Sequence, residues 1–257
     1  MSLFHRKPKV STDSMRNGVR LIVAAHPKSP ISEQFRTVRT NVEFMAVDKE
    51  MKTLAFTSSS ISEGKSTVAA NTAVAWAQQG KKVVLVDADM RRPTAHATFN
   101  LNNTIGLSTV LASRQREFEL GDVVRPSGIE NLEVITSGPI PPNPSELLNS
   151  GRMNQLLKVL ENHFDVVVVD APPMLQVTDA QILAGRVDGV ILVVRQGVAQ
   201  KNAVRRCVQL MKMAKANLLG FVMNDVNSGD GAYGYGYGYG YGYGYGYGDD
   251  DDSNGKK

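Results

Sequence analysis

The sequence predicts an α/β fold in which a doubly wound, mostly parallel sheet carries helices on both faces. From Met51 onward, short runs rich in Val, Ile and Leu alternate with helical segments, and repeated strand–helix units build parallel sheets. Val166–Val169 and Val190–Val194 are continuously apolar, which is typical of strands buried on both faces. A chain of 257 residues with 42% hydrophobic residues is long enough to bury a sizeable core.

Each predicted element follows from its local pattern. The predicted strands are Leu54–Thr57, Val83–Asp87, Leu132–Thr136, Val166–Asp170, Val190–Val194 and Leu218–Asn224. The predicted helices are Pro30–Ala46, Lys65–Gln79, Asp179–Gly185 and Lys201–Lys215, and Gly80 closes the second of them. A further helix is predicted whose apolar face is supplied by Leu147 through Leu160. Asn143, Pro144 and Glu146 form a pattern typical of a helix start, so the helix over 147–160 is expected to begin there. Residues 100–128 are less periodic, and we expect peripheral helices in them.

Both ends of the chain depart from the globular pattern. Residues 1–28 hold six basic residues and one acidic residue, a net charge of +5, so this basic segment either attracts anionic lipid or an acidic partner or serves solubility. Residues 230–257 form a predicted disordered tail, because glycine alternating with tyrosine cannot build a core. The tail contains all eight tyrosines of the chain: Tyr233, Tyr235, Tyr237, Tyr239, Tyr241, Tyr243, Tyr245 and Tyr247. Residues 29–229 are the predicted folded domain.

Composition also restricts the compartment and the partners. A single cysteine, Cys207, excludes an internal disulfide and favours a reducing cytoplasm. We expect the Cys207 thiol to be buried and structural. No apolar run reaches the ~18–20 residues needed to span a bilayer, and we expect no signal peptide. Basic residues are not interleaved with aromatic ones, so no nucleic-acid partner is expected.

A degenerate phosphate-binding loop follows the first predicted strand. The segment Thr57-Ser-Ser-Ser-Ile-Ser-Glu-Gly-Lys-Ser-Thr67 matches G-x-x-x-x-G-K-[ST] except that Ser59 occupies the first glycine position. Gly64 permits close backbone approach, Lys65 can reach the β- and γ-phosphates, and the Ser66 hydroxyl suits Mg²⁺. The fold is therefore predicted to carry a deviant P-loop that binds a nucleoside triphosphate.

Two acidic clusters end later strands. Asp87 and Asp89 follow the strand Val83–Asp87, and Asp170 ends another strand. Because the carboxyl ends of parallel strands share one edge, we expect the three carboxylates to meet at the phosphate loop, where Mg²⁺ would offset their repulsion. Any one of them could instead be a helix cap or a turn residue. Arg91 and Arg92 follow directly and either neutralise phosphate or support the structure.

The predicted helix Pro30–Ala46 carries a charged face. Glu33, Arg36 and Arg39 recur at every third position beside an apolar stripe. They form salt bridges along an exposed helix, or they pair with a second copy of the chain.

Together these motifs resemble the bacterial tyrosine kinases that govern capsule and exopolysaccharide synthesis. The D-A-D-x-R-R-P run after Val86 is similar to the Walker A′ motif of that family, Val166–Asp170 to its Walker B, and the tyrosine repeat to its autophosphorylation cluster. Glu33-Gln-Phe-Arg36-Thr-Val-Arg39 matches the E-x-x-R-x-x-R motif with which its members assemble rings. The chain departs from many relatives at Ser62, where they carry glycine, and in its very regular repeat.

The resemblance implies a mechanism and a set of site residues. Asp87 would orient or deprotonate the incoming tyrosine, Asp89 and Asp170 would hold Mg²⁺ with Ser66, and Lys65 would stabilise the transferred phosphoryl group. The implied catalytic residues are Lys65, Asp87 and Asp89, and the implied ATP-binding residues are Ser60, Ser62, Glu63, Gly64, Lys65, Ser66, Thr67 and Asn224. Asn224 would contact adenine.

The resemblance also implies partners. The first is other copies of the chain in a ring, with an octamer as one candidate size. The others are a membrane adaptor that activates the kinase, a cognate tyrosine phosphatase, and polysaccharide-biosynthesis enzymes as substrates. The chain is then expected in the cytoplasm, recruited to the inner face of the cell membrane by its partner.

Two alternatives remain at this point. A partitioning or division-site ATPase of the same superfamily carries a signature lysine five residues before the catalytic one, where this chain has Ser60. A non-catalytic scaffold would bind nucleotide and use the tail as a tether. Phosphotyrosine formed with Mg-ATP would distinguish the kinase from both.

Overall fold

A computed structural model describes residues 13–46, 50–113 and 119–226, and these residues form one seven-stranded sheet with helices on both faces. The strands are β1 (Thr53–Ser58), β2 (Val83–Asp87), β3 (Val124–Pro126), β4 (Leu132–Ile135), β5 (Val166–Asp170), β6 (Gly189–Arg195) and β7 (Leu218–Asn224). The helices are α1 (Asp13–Asn17), α2 (Ile22–Ala25), α3 (Pro30–Met45), α4 (Lys65–Ala77), α5 (Ala95–Thr98), α6 (Leu107–Ala112), α7 (Pro144–Leu148), α8 (Gly151–His163), α9 (Asp179–Ala184) and α10 (Lys201–Met213), with a 3₁₀ turn at Leu120–Asp122.

The sheet order confirms the predicted α/β class. The strands lie in the order β3-β4-β2-β5-β1-β6-β7, and every neighbouring pair is parallel except β3 with β4. β1 therefore sits between β5 and β6, and the carboxyl ends of β1, β2 and β5 share one edge. The phosphate loop leaves the sheet at this edge.

Both faces of the sheet are buried. In β5, Val167 and Val169 belong to the core beneath α6 to α10, whereas Val166 and Val168 belong to the core beneath α2 to α5. Alternate side chains of one apolar strand thus enter opposite cores, which explains why the run shows no polar alternation.

α4 is the buried helix of the second core. All of its residues from Val68 to Ala77 are buried, and five of them are alanines, whose small side chains allow the helix to lie close to the sheet. The Trp76 indole N–H donates to Glu43 Oε1 over 3.1 Å and so ties α4 to α3.

The observed elements differ from the prediction at several points, and the short helices α1, α2 and α5 have no predicted counterpart. The helix predicted over 147–160 is two helices, because the Ser150 hydroxyl donates to Leu147 O and also accepts from Met153 N, which starts α8. Asn143 is the cap residue of α7, as predicted, but its side chain donates to Glu146 instead of accepting a backbone amide. Peripheral helices are expected in residues 100–128, and the described part of this segment contains α6 and a 3₁₀ turn. It also contains the antiparallel edge strand β3, which periodicity missed because three residues carry no pattern.

The described part of the basic segment packs on the domain. Val23 is fully buried, and its backbone N–H donates to Asn71 Oδ1 over 3.0 Å on α4. The boundaries predicted at residues 28 and 229 stay predictions, and the tail 230–257 with its eight tyrosines lies outside the described residues. Within the described ranges, no helix combines the length and the apolar character needed to cross a membrane.

Candidate active site

The phosphate loop runs from the end of β1 into α4. Gly64 caps α4 with φ of +92°, and a Cβ at this position would lie 2.0 Å from Asn224 Nδ2. Only glycine meets both conditions, since a side chain would be strained and would also collide. Ile61, Ser62 and Gly64 of the loop and the first turn of α4 line the same cavity, as in a site for phosphate oxygens.

Side chains hold the loop from both sides. Glu63 is buried, and its Oε1 accepts from the Ser59 hydroxyl over 2.5 Å and from Ser60 N over 2.9 Å. On the other side, Asn224 Nδ2 donates to Glu63 O over 2.9 Å, and Arg195 Nη1 donates to Ser62 O over 3.1 Å. Ser59 therefore uses its hydroxyl to fix the loop at the position where the strict pattern has glycine.

Lys65 joins the loop to the acidic clusters. Its Nζ lies 2.9 Å from Asp89 Oδ2 and 3.2 Å from Asp170 Oδ1, and all three side chains are nearly buried. Burial alone would lower the pKa of Lys65, but attraction from Asp170 and Asp89 outweighs it and raises the pKa above its usual value. The lysine is therefore firmly cationic and balances two carboxylates.

Asp87 lies beside this group in a distinct environment. It is opposite Asp170 in the sheet register and fully buried. Its Oδ2 accepts from Thr94 N and Ala95 N, each over 2.9 Å, and its Oδ1 accepts from Asp89 N over 3.2 Å. Burial, with repulsion from Asp170, raises the pKa of Asp87 to about 7 despite these amides.

The oxygen donors at this edge fit Mg²⁺. The Ser66 hydroxyl, Asp89 and Asp170 all contact Lys65 Nζ, so three oxygen-bearing side chains converge there. Among the described residues, no three or more His, Cys, Asp or Glu side chains form a cage for a metal ion. Mg²⁺ needs no such cage, since it prefers one or two carboxylates together with water and substrate phosphates.

The two arginines after Asp89 have different surroundings. Arg91 Nε donates to Asp179 Oδ2 over 2.9 Å, and Asp179 is fully buried and also accepts from Ser145. Arg91 thus anchors the strand-end loop on α9, whereas Arg92 lines the cavity.

The cavity at the loop has a volume of about 510 Å³ and a wall that the sequence did not suggest. Six residues from the described start of the basic segment line it: Asp13, Ser14, Asn17, Gly18, Val19 and Arg20. Gly18 has φ of +70°, and a Cβ there would lie 2.5 Å from the Thr98 backbone, while Val19 N donates to Thr98 Oγ1 over 3.0 Å. The only signal in the sequence was an isolated glycine, which does not identify a cavity wall.

The three charges of α3 contact their own chain. Arg36 bonds to Glu33 Oε1 over 2.5 Å and to Pro27 O over 2.7 Å, and Arg39 Nη1 donates to Ala75 O over 3.0 Å. The Glu33 side chain is 66% exposed, compared with 25% for Arg36. These contacts do not test the predicted pairing between copies.

The chain is similar to known proteins over most of its length. A family model described as AAA domain matches residues 51–219. The chain is 47% identical to the tyrosine-protein kinase YwqD of Bacillus subtilis (strain 168) over 204 residues, which cover 79% of this chain and 85% of the relative. The solved kinase domain of the Escherichia coli tyrosine kinase ETK superposes with a TM-score of 0.78 at 34% identity and covers 92% of this chain and 89% of its own. The chimerical protein CapA2B2 superposes with a TM-score of 0.74 at 44% identity and covers 79% and 88% of the two chains.

Proposed function

The chain belongs to the bacterial tyrosine-protein kinases, and we propose that it uses Mg-ATP to phosphorylate the tyrosines of its own C-terminal repeat, between neighbouring copies. The observation that carries this proposal is the contact of Lys65 with Asp89 and Asp170 at the phosphate loop, directly beside Asp87. Phosphoryl transfer needs positive charge at the phosphates and a carboxylate at the acceptor, and this group supplies both.

The cavity has two ends, which suggests where each substrate lies. Lys65 points toward β2 and β5, so we place the γ-phosphate on that side. The nucleoside would then extend toward Asn224 and Arg195 at the ends of β7 and β6. The tyrosine would enter on the β2 side, past Thr94 and the wall that contains Arg20.

In the proposed transfer, the tyrosine oxygen bonds to the γ-phosphorus while the bond from that phosphorus to the β-phosphate oxygen breaks, and ADP leaves. The phenolic proton passes to Asp87. A pKa raised to about 7 brings this carboxylate closer to the phenol value of about 10 than an ordinary aspartate would be. Bound Mg²⁺, held through Ser66, Asp89 and Asp170, would neutralise phosphate charge. Lys65 and the loop amides position the phosphates.

The tail is the proposed substrate because it concentrates every tyrosine of the chain in one glycine-rich segment. A segment of ~20 such residues reaches roughly 25 Å, about the radius of a small domain, and we propose that it enters the cavity of an adjacent copy. Glu33, Arg36 and Arg39 are the proposed contacts that assemble the copies into a ring.

We further propose that the kinase regulates capsular or extracellular polysaccharide synthesis. In this proposal, a membrane adaptor activates the chain at the inner face of the cell membrane, and a phosphatase reverses the modification. The support is the family and the net charge of +5 in residues 1–28, which suits an anionic surface.

The first experiment asks whether the chain phosphorylates tyrosine. Purified protein with Mg-ATP should develop phosphotyrosine on an immunoblot, and Lys65→Met should develop none, because the charge at the β- and γ-phosphates is lost. Circular dichroism should show the same fold for both proteins. Phosphate release without phosphotyrosine would support an ATPase switch instead, and phosphotyrosine that persists in Lys65→Met would refute the assigned site.

The second experiment asks whether transfer occurs between copies. A Lys65→Met chain with its tail is mixed with an active chain truncated after Gly231, under conditions where mixed oligomers form. We expect phosphotyrosine on the Lys65→Met chain only. If that chain stays unmodified while the full-length active protein modifies itself, transfer occurs within one copy.

A further inference from the structure

Two successive carbonyls of the phosphate loop are held by side chains from the far end of the cavity. Arg195 Nη1 donates to Ser62 O over 3.1 Å, and Asn224 Nδ2 donates to Glu63 O over 2.9 Å. Arg195 ends β6 and Asn224 ends β7, so both donors come from rigid strands. The loop is thus fixed from outside at two consecutive peptide groups.

Holding a carbonyl also fixes the amide of the same peptide group. In a trans peptide, C=O and N–H point in opposite directions. The peptide that carries Ser62 O therefore directs Glu63 N–H away from Arg195, and the next one directs Gly64 N–H away from Asn224. Successive loop amides are the groups that bind phosphate oxygens, so these two contacts set their direction.

The backbone of the loop needs this support. Ser62 has φ of +63°, a left-handed conformation that non-glycine residues rarely adopt. Glu63 is locked from the inside, since its side chain holds Ser59 and Ser60. A strained turn fixed from both sides persists in one conformation, which is what a preorganised anion site requires.

Arg195 is itself oriented by Asp225. Its Nε and Nη2 lie 2.9 and 2.8 Å from Asp225 Oδ2. The Arg195 and Asp225 side chains are 38% and 56% exposed. Such an exposed pair contributes little to global stability, so its removal should leave the fold intact.

We propose that Arg195, Asn224 and Asp225 are positioning residues for phosphate binding: they fix the amides of Glu63 and Gly64 toward the phosphates of the nucleotide. This inference deepens the proposed function and rests on nucleotide binding at this loop. It differs from a direct contact of Asn224 with adenine, because it requires neither base nor ribose.

The test compares ligands with and without a nucleoside, by calorimetry with Mg²⁺ present. Arg195→Ala and Asn224→Ala should each weaken binding of inorganic pyrophosphate and of ADP by a similar factor, about five- to tenfold, as expected for one lost hydrogen bond. Asp225→Ala should weaken both less, and the Arg195→Ala/Asp225→Ala double variant should be no weaker than Arg195→Ala, because Asp225 acts through Arg195.

The matched control is Arg125→Ala. It removes another arginine that donates to backbone carbonyls, those of Gly121 and Asp122 in the 3₁₀ turn, but that does not line the cavity. It should bind both ligands as the wild type does. The ligand-free thermal midpoints of Arg195→Ala and Asp225→Ala should agree with that of the wild type within about 2 °C, since exposed ion pairs contribute little. If Arg195→Ala fails to fold, Asp225→Asn takes its place, because it keeps the side-chain shape and removes only the charge.

Each result decides the inference. Weaker ADP binding with unchanged pyrophosphate binding would mean that these residues contact the nucleoside, and unchanged binding of both would mean that they do not position the loop. Either result overturns the inference while leaving the kinase assignment intact. A wild-type chain that binds neither ligand would instead overturn nucleotide binding itself.

Discussion

Asp87 is bound by three backbone amides and fully buried, so its carboxylate shapes the turn after β2 whatever else it does. Asp87 is therefore in part the turn residue that the sequence allowed as an alternative, and it also lies beside Lys65 and Asp170. A carboxylate has about four acceptor sites, and Asp87 uses three of them for these amides. One lone pair on Oδ1 is left, which could accept a hydrogen bond from the hydroxyl of a substrate tyrosine.

The raised pKa of Asp87 predicts how stability depends on pH. The folded value is about 7, whereas an aspartate in an unfolded chain titrates near 4, so between these values only the folded state holds the proton. This contribution is fully present below the unfolded pKa and is lost as pH rises through about 7. Between pH 5 and 8, the wild type should lose about 2 kcal/mol more unfolding free energy than Asp87→Asn.

Chemical unfolding with a chelator at several pH values measures this difference. Asp165→Asn is the matched control, since Asp165 is exposed and its carboxylate also accepts a backbone amide, from Lys82. The control should follow the wild-type pH dependence. Parallel curves for the wild type and Asp87→Asn would mean that Asp87 is ionised over the whole range.

A second prediction for a single residue concerns the reactivity of the Cys207 thiol. The thiol is fully buried, and burial, with a smaller contribution from Glu63, raises its pKa to about 12. The native protein at pH 8 should therefore react with a disulfide reagent at least about a hundredfold more slowly than the unfolded chain, because the thiolate is scarce and shielded. Equal rates in native buffer and in denaturant would show that α10 opens readily.

At the scale of elements, α3 combines packing within its own chain with a proposed role between chains. Arg39 is the most enclosed of its three charges, with a side chain 16% exposed and a bond to the end of α4. Replacing Glu33, Arg36 and Arg39 with alanine should convert a ring to monomers in light scattering, because the charges between copies are lost. The stability loss should be only about 1–2 kcal/mol, since Val42 and the apolar stripe keep α3 in place.

The matched control replaces three exposed cations of α10, Lys201, Arg205 and Lys212, with alanine. These changes remove as many charged side chains from a different helix, and the mass in light scattering should stay that of the wild type. If the α3 variant keeps the wild-type mass, its charges serve only the contacts seen within the chain.

For the whole molecule, we predict that the tail links activity to assembly. Each phosphate adds about −1.5 to −2 charges beside Asp249–Asp252, and the tails of neighbouring copies would repel one another. Incubation with Mg-ATP should therefore lower the mass measured by light scattering, and adding salt should weaken the effect because it screens charge. Lys65→Met should keep its mass under the same conditions. A ring that persists with fully modified tails would separate phosphorylation from disassembly.

The eight tyrosines should act as near equivalents. The repeat places each one between glycines, so no single Tyr→Phe change should alter total phosphotyrosine by more than about one eighth, the share of one site among the eight. Mass spectrometry of the tail would check this, and loss of all signal with one substitution would identify a dominant site.

The sequence by itself determined six of the seven strands in the described residues, the phosphate loop and the acidic strand ends, because these depend on local patterns. An uninterrupted run such as Val166–Val169 indicates burial on both faces wherever it occurs, and Gly64-Lys65-Ser66 requires a helix start. Parallel topology then implies that Asp87 and Asp170 end at the same edge, where the structure has them directly opposite each other.

Only the tertiary structure decided which distant segments complete the cavity. Val19 reaches Thr98 across 79 positions, and Arg195 reaches Ser62 across 133. Neither pair belongs to a periodic pattern or a motif, and a one-residue shift in packing would separate the atoms that meet. Contacts between residues far apart in the chain depend on the summed packing of the two cores, so the basic segment's position as a cavity wall and the support of the loop by β6 and β7 follow from the folded molecule alone.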